Sequence, residues 1–137
     1  MPERKKPETL RLRAVMPTLT VNDIAKSIAW YRDVLGFIVQ DEMTHEDQVV
    51  GAVIKAGNAE FLLGQDDWGK GKNRRKGVGF RLYCVSVQDI DQIAVDIKAR
   101  GGELDQEPTD QPWGARDLSV IDPDGFKITI STGVSEE

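Results

Sequence analysis

The chain has 137 residues and a formal net charge of −5, and 30% of its residues are charged and 39% hydrophobic. This balance predicts one globular domain. The negative charge disfavours nucleic acid, which is bound through cations on phosphate. No apolar run is long enough for a membrane span or a signal peptide. The lone cysteine, Cys84, excludes an internal disulfide and favours a reducing compartment, so we predict a cytoplasmic protein.

The pattern along the chain predicts a short lead followed by one domain made of two modules. Residues 1–13 are charged and contain two prolines, so they are predicted to be a flexible lead that includes the start of the first strand. The domain is predicted to span residues 14–137. Within it, module one occupies 14–65, a linker loop 66–77 and module two 78–132.

In module one, residues 15–21 alternate with period two and predict a strand. Asn22 or Asp23 then caps a helix that has an apolar stripe and closes at Gly36. Three further strands are predicted at residues 37–43, 49–55 and 59–63.

The linker is rich in glycine and basic residues and has no periodicity, so we predict a mobile loop. Module two then repeats the plan of module one, with a strand at 78–87 and a helix at 89–100. Its remaining strands are predicted at 103–109, 115–121 and 126–131. Asp122-Pro123-Asp124-Gly125 is a strong turn signal between the last two strands.

The two modules form an internal repeat. Val21-Asn22-Asp23-Ile24 recurs as Val87-Gln88-Asp89-Ile90, and the same offset of 66 residues carries Gly36 onto Gly102. Helix start and stop signals thus return together. We predict an α+β fold in which two tandem βαβββ modules form a cupped mixed β-sheet with the helices on its outer face.

Three motifs resemble the vicinal oxygen chelate superfamily, which includes glyoxalase I, extradiol dioxygenases and the fosfomycin- and bleomycin-resistance proteins. They are the strand running into Val-x-Asp-Ile, Trp30-Tyr31 before Val34-Leu35-Gly36-Phe37, and the Asp-Pro-Asp-Gly turn. The resemblance spans about Ala14 to Thr132 and implies the fold more strongly than the function. The pattern is most similar to the metal-free, bleomycin-resistance-like branch.

The same resemblance implies where a metal would be held in the metal-dependent members, namely on the first and last strands of each module. The corresponding positions in this chain are Met16 and Leu82 on the first strands, and Leu62 and Thr129 on the last strands. These residues do not make the cluster of oxygen and nitrogen donors that a divalent metal needs. We therefore predict no bound metal and no cofactor.

Two residues leave an atypical metal site open. Glu60 is the only carboxylate on its predicted strand, and His45 is the only histidine of the chain, within the polar segment 44–47. One carboxylate is too few for a metal site, and a lone histidine in a polar segment is more typical of a surface loop.

A cupped pocket, apolar with a few hydroxyls, is predicted to bind the ligand. Trp113-Gly114-Ala115-Arg116 resembles the Trp-Gly-x-Arg segment of the bleomycin-resistance branch, in which an indole offers a flat contact and arginine orients a polar group. The alternative is that Trp113 only covers the end of the sheet and Arg116 pairs with a surface acid. The predicted ligand-binding residues are Met16, Thr18, Leu62, Phe80, Leu82, Trp113, Arg116 and Thr129.

These observations favour a metal-free binding protein that sequesters an apolar or aromatic organic molecule. The alternative is a lyase, isomerase or dioxygenase of the same superfamily with an unusual metal site. Open sheet edges predict a homodimer. The sequence leaves open whether the pocket lies within one chain or between two.

Overall fold

The computed structural model describes residues 10–133, so residues 1–9 of the predicted lead, and residues 134–137, lie outside the described residues. The strands and helices follow the predicted order. They are β1 (Thr18–Val21), α1 (Ile24–Trp30) with a π-helical turn (Tyr31–Leu35), β2 (Ile38–His45), β3 (Gln48–Ala56), β4 (Ala59–Gln65), β5 (Arg81–Val85), α2 (Ile90–Ala99), β6 (Gln106–Asp110), β7 (Arg116–Ile121) and β8 (Lys127–Ser131).

The strands form two four-stranded sheets with the same topology, in the orders β1-β4-β3-β2 and β5-β8-β7-β6. In each sheet the first strand pairs in parallel with the last strand of its module, and the other pairs are antiparallel. The α+β architecture of two tandem βαβββ modules is thus confirmed.

Both helices begin at the aspartates of the repeat. The Asp23 side chain accepts a hydrogen bond from the Lys26 backbone N–H, and Asp89 caps α2 in the same way. Gly36 closes the first helix with a φ of 90°, a left-handed conformation that glycine adopts without strain. The caps and apolar stripes predicted from the sequence therefore direct the helices as expected.

One hydrophobic core joins the two modules. Leu63 of β4 and Leu118 of β7 are fully buried in it, as are the helix residues Tyr31 and Ile97. At the junction, the Tyr31 hydroxyl donates a buried hydrogen bond of 2.8 Å to Oδ2 of Asp122 in the second module. Burial is the main cause that raises the pKa of both the Tyr31 phenol and the Asp122 carboxyl.

Some strand bounds differ from the predicted ones. The β2–β3 hairpin closes through Glu46 and Asp47 alone, with φ values of 53° and 66°. The two strands therefore extend through most of the segment predicted to separate them, and His45 is the last residue of β2. Strand β1 begins at Thr18 rather than at residue 15, and β6 begins at Gln106 rather than at 103.

The linker has an internal organisation that its composition did not predict. The buried Asp66 carboxylate accepts hydrogen bonds from Arg74, Lys76 and the Trp68 backbone N–H. These hydrogen bonds hold the pKa of Asp66 far below its usual range. The ammonium groups of Lys72 and Lys76 lie 5.9 and 5.1 Å from the centre of the Trp68 ring.

Neither helix that the structure describes has the length and apolar character needed to cross a bilayer. The cytoplasmic location stays a prediction from the lone cysteine.

Candidate functional site

Each sheet has one face packed against the helices and core, and an opposite face that we call the open face. In the first sheet, Leu19 and Leu63 are buried in the core. Thr18 and Leu62 are cross-strand partners and point to the open face, because neighbouring residues along a strand alternate between faces. The structure therefore places these two predicted site residues side by side on the open face.

In the second sheet, β5 presents the opposite set of residues from the one that the repeat predicts. Leu82 is the partner of the buried Ile128 and packs against the core, whereas Tyr83 is the partner of Thr129 on the open face. The placement of Leu82 in the pocket is therefore wrong. The offset of 66 residues carries Val21, which is fully buried, onto Val87, which is fully exposed.

The reason why β5 is reversed relative to the repeat lies in the segment between β5 and α2. Strand β5 ends at Val85, so residues 86–88 are not part of a continuous strand. Side-chain alternation holds only along continuous extended backbone, and a shift of one residue moves every side chain to the other face. The face of β5 is instead set by its partner β8, whose Ile128 and Ile130 pack toward the core.

The other predicted apolar residues lie at the margins of the sheets. Met16 precedes β1 and is 42% exposed. Phe80 precedes β5, is 44% exposed and packs edge-on against Phe126, with 6.2 Å between ring centres. Trp113 lies between β6 and β7 and is 53% exposed. All three side chains remain accessible to solvent.

Arg116 is directed to the helix side of the second sheet, where it forms ion pairs with Asp91 of α2 at 2.8 Å and with Asp110 of β6 at 3.0 Å. The hydrogen bonds that its guanidinium donates to these two carboxylates raise the pKa of Arg116. This is the alternative arrangement, in which Arg116 pairs with surface acids. It leaves the guanidinium away from the open face.

The open face of the second sheet carries a hydrogen-bonded group that the sequence did not reveal. The Nη1 atom of Arg81 donates to Thr129 Oγ1 at 2.8 Å and lies 3.3 Å from Ser119 Oγ. The two hydroxyls are 3.1 Å apart and both residues are buried, and Ser119 also contacts Gln106. Beside them, Tyr83 donates to Ser131 Oγ at 2.8 Å. Tyr83 and Ser119 are the cross-strand partners of Thr129. They would have been predicted to share its face if the face of β5 had been assigned from the buried Ile128.

A groove adjoins this face where β7 ends and β8 begins. It is open, has a volume of about 510 Å³ and is lined by the loop before β5 and by the β7–β8 hairpin. We call it the basic groove because four basic residues line it, namely Arg74, Arg75, Lys76 and Lys127. Gly77 and Ile121 also belong to its lining. Lys127, which lines the groove, is the cross-strand partner of Arg81, so the groove lies next to the Arg81 group.

With this geometry established, comparison with known proteins assigns the family. The profile of the Glyoxalase/Bleomycin resistance protein/Dioxygenase superfamily matches residues 12–130. The chain belongs to this superfamily.

Relatives within the superfamily have different names. The chain is 29% identical over 118 residues to a protein named "Probable lactoylglutathione lyase" from Synechocystis sp., covering 82% of this chain and 88% of the relative. It is also 29% identical over 125 residues to the bleomycin resistance protein of Geobacillus stearothermophilus, covering 84% and 92%. The crystal structure of TioX from Micromonospora sp. ML1 has the same fold, with a TM-score of 0.67 and 20% identity over 90% of this chain and 98% of TioX.

The superfamily includes metal-dependent enzymes, so the donors in this chain have to be tested against a metal. At the expected positions, the Met16, Leu62 and Leu82 side chains offer no oxygen or nitrogen donor, and Leu82 packs against the core. The Thr129 hydroxyl is engaged by Arg81. Within residues 10–133, no three His, Cys, Asp or Glu side chains come together.

The two residues that left an atypical site open do not change this result. Glu60 accepts a hydrogen bond of 2.8 Å from Gln40 on the first sheet. The His45 side chain is 76% exposed at the end of the β2–β3 hairpin, 3.8 Å from the Glu46 carboxylate. The described residues therefore do not fit a divalent metal.

Proposed function

We propose that this chain binds a small organic molecule on the open face of its second sheet without a divalent metal. The observation that carries the proposal is the group formed by Arg81, Ser119 and Thr129. Two buried hydroxyls hold one nitrogen of the guanidinium, while Arg81 as a residue stays exposed to solvent. Small-molecule sites use a few such fixed polar groups to orient a ligand.

Exposed apolar groups beside the same face support an apolar or aromatic body for the ligand. Val78 lines the basic groove and is 69% exposed, and Phe80 follows two residues later. Trp113 stays a predicted contact, because an accessible indole commonly anchors a flat ligand. The similarity to a bleomycin resistance protein also favours binding without transformation of the ligand.

The second candidate is a lyase, isomerase or dioxygenase, which the similarity to the Synechocystis protein favours. Its metal-dependent form would need donors that the described residues do not bring together. We therefore rank it below the binding function.

We also propose a homodimer. Strand β5 pairs only with β8 among the described strands, and Tyr83 and Val85 along this edge are 49% and 64% exposed. A second copy can cover such an edge. Light scattering should give twice the chain mass of 15.2 kDa. A mass that stays monomeric over the micromolar range would contradict the dimer.

The test of function combines metal analysis with ligand screening by thermal shift. We expect far less than about one equivalent of Zn²⁺, Ni²⁺, Mn²⁺ or Fe²⁺ after mild purification, and a melting temperature that a chelator does not change. With chelator present, some aromatic or apolar ligands should raise the melting temperature in a saturable way. About one equivalent of tightly held metal, with stability lost on chelation, would instead support the enzyme candidate.

A further inference from the structure

We propose that the ligand carries an anionic group, a carboxylate or a phosphate, which binds where the open face of the second sheet meets the basic groove. Arg81 and Lys127 are its principal partners, and Arg75 is the third cation. This inference rests on the proposed binding function and names the chemical class of its ligand.

Arg81 is the first step of the argument. Both acceptors of its Nη1 atom are neutral hydroxyls, those of Thr129 and Ser119. Among residues 10–133 it has no carboxylate within ion-pair distance, unlike Arg116, which has two such partners, Asp91 and Asp110. A guanidinium has five N–H donors in a planar fork, and this fork matches the two oxygens of a carboxylate or phosphate.

The hydroxyls of Thr129 and Ser119 hold the Arg81 guanidinium in one position. Thr129 is 6% exposed and Ser119 is 2% exposed, and each contacts the other as well as Arg81. Every buried side-chain polar atom in the described part of the chain has a hydrogen-bond partner. A donor that is held in place before binding loses less conformational entropy when the ligand arrives.

The basic groove supplies further positive charge. Lys127 is the cross-strand partner of both Arg81 and Ile121, so its ammonium group belongs to the same stretch of surface as the guanidinium. Two other cations of the groove, Arg74 and Lys76, are paired with Asp66. Within residues 10–133, Lys127 and Arg75 are the groove cations that have no ion pair.

The acid that lines the groove is already engaged elsewhere. Asp124 accepts hydrogen bonds from the Asn22 backbone N–H at 3.0 Å and from the Ser27 hydroxyl at 3.3 Å, both in module one. These donors are neutral, so Asp124 keeps its negative charge, but the groove lining has four cations, Arg74, Arg75, Lys76 and Lys127, against this one carboxylate. The local surplus of positive charge arises in a chain whose net charge is −5, so it is a feature of this site and not of the whole surface.

Backbone geometry brings the loop before β5 close to the β7–β8 hairpin beside the groove. Gly77 has a φ of 77°, and a Cβ built on it would lie 2.3 Å from the carbonyl oxygen of Gly125. Only glycine allows this approach between the loop and the β7–β8 hairpin. The groove beside this contact has a volume of about 510 Å³, which is in the size range of small-molecule sites.

The experiment measures binding of benzoate, benzamide and inorganic phosphate by calorimetry, at constant ionic strength and with chelator present. Benzoate and benzamide have nearly the same shape, so their difference isolates the charge. The variants are Arg81→Gln and Lys127→Gln, and Arg116→Gln is the matched control because it removes the same charge on the other side of the sheet. Arg81→Lys covers the case in which Arg81→Gln does not fold.

We expect wild type to bind benzoate, phosphate or both, and to prefer benzoate to benzamide. Arg81→Gln should weaken binding of the anion about tenfold or more, Lys127→Gln less, and Arg116→Gln less than about twofold. Arg81→Lys should also weaken binding, because an ammonium lacks the planar fork. A preference for benzoate alone assigns a carboxylate, and a preference for phosphate alone assigns a phosphate.

Equal losses in Arg81→Gln and Arg116→Gln would overturn the assignment of the site, as would unchanged binding in both Arg81 variants. Equal affinity of wild type for benzoate and benzamide, without phosphate binding, would overturn the anionic class but leave the binding function intact. Failure of the binding function itself would appear separately in the metal and ligand screen, as about one equivalent of tightly held metal with stability lost on chelation.

Discussion

The open faces of the two modules differ far more than their topology does. On the first sheet, Thr18 lies beside Leu62, and Glu60 is held by Gln40. On the second sheet, hydroxyls lie beneath the Arg81 guanidinium and next to the basic groove. A repeat preserves what the core needs, namely caps, apolar stripes and closing glycines. The face that does not pack against the core is free to acquire a different chemistry in each copy.

The same comparison shows how far an internal repeat can be used to assign side-chain direction. Val21 and Val87 occupy equivalent sequence positions, yet one is fully buried and the other fully exposed. The repeat aligns the helices well because their caps are fixed by Asp23 and Asp89. It does not align the strands before them, since residues between strand and helix interrupt the alternation.

The largest expected effect compares one leucine from each module. Leu82→Ala should reduce the free energy of unfolding by about 2 kcal/mol or more, because Leu82 packs against the core. Leu62→Ala, on the open face of the first sheet, should cost less than about 1 kcal/mol. Urea unfolding of both variants measures the difference, and the reverse order would show that the faces are wrongly assigned.

A second comparison uses two tyrosine hydroxyls. Tyr31→Phe removes the buried hydrogen bond to Asp122 that joins the modules, so we expect a loss of about 1–3 kcal/mol in the free energy of unfolding. Tyr83→Phe removes the bond to Ser131 from a half-exposed ring and should cost about 0.5 kcal/mol or less. If both variants lost the same free energy of unfolding in denaturant, the hydrogen bond at the module junction would contribute no more to stability than the exposed one.

The linker gives a pH-dependent prediction. The pKa of Asp66 is lowered in the folded protein, so its ionised form stabilises the fold above the unfolded pKa of about 4, and this contribution is lost as the pH falls through the folded value. Asp66→Asn should therefore lower the melting temperature at pH 7, with a gap to wild type that narrows below about pH 4. Asp67→Asn, an exposed neighbour, is the control. A gap independent of pH would exclude the Asp66 ion pairs as its source.

The smallest expected effect is that of Arg116→Gln. Its ion pairs with Asp91 and Asp110 are largely exposed to solvent, so their loss should change the free energy of unfolding only slightly. The difference should shrink further at high salt, because screening weakens exposed pairs. A loss comparable to that of Leu82→Ala would show that Arg116 supports the core.

The fold could be predicted from the sequence because short local motifs, namely helix caps and a turn, mark where its helices and one hairpin begin or end. Asp23, Asp89 and the Asp122–Gly125 turn each fix a helix or hairpin end without reference to the rest of the chain. The site was predicted only in part, since it depends on which face of β5 is buried, and neighbouring strands decide that. Within the proposed site, Thr129 was among the residues predicted from the sequence, by its position after the turn, whereas Arg81 and Ser119 were not. Pairing of β5 with β8 is a tertiary contact that period-two alternation alone does not reveal.

The central claim is that β5 presents Arg81 and Tyr83 on the open face and Leu82 to the core. Because Cys84 is the only cysteine, a Cys84→Ser background allows single cysteines to be placed at each of these positions. Reaction with a thiol reagent is measured for each variant under native conditions and in denaturant, and the ratio of rates gives the protection. We predict little protection in Arg81→Cys and Tyr83→Cys, and protection of about tenfold or more in Leu82→Cys. Strong protection at positions 81 and 83 with rapid labelling at 82 would contradict the account.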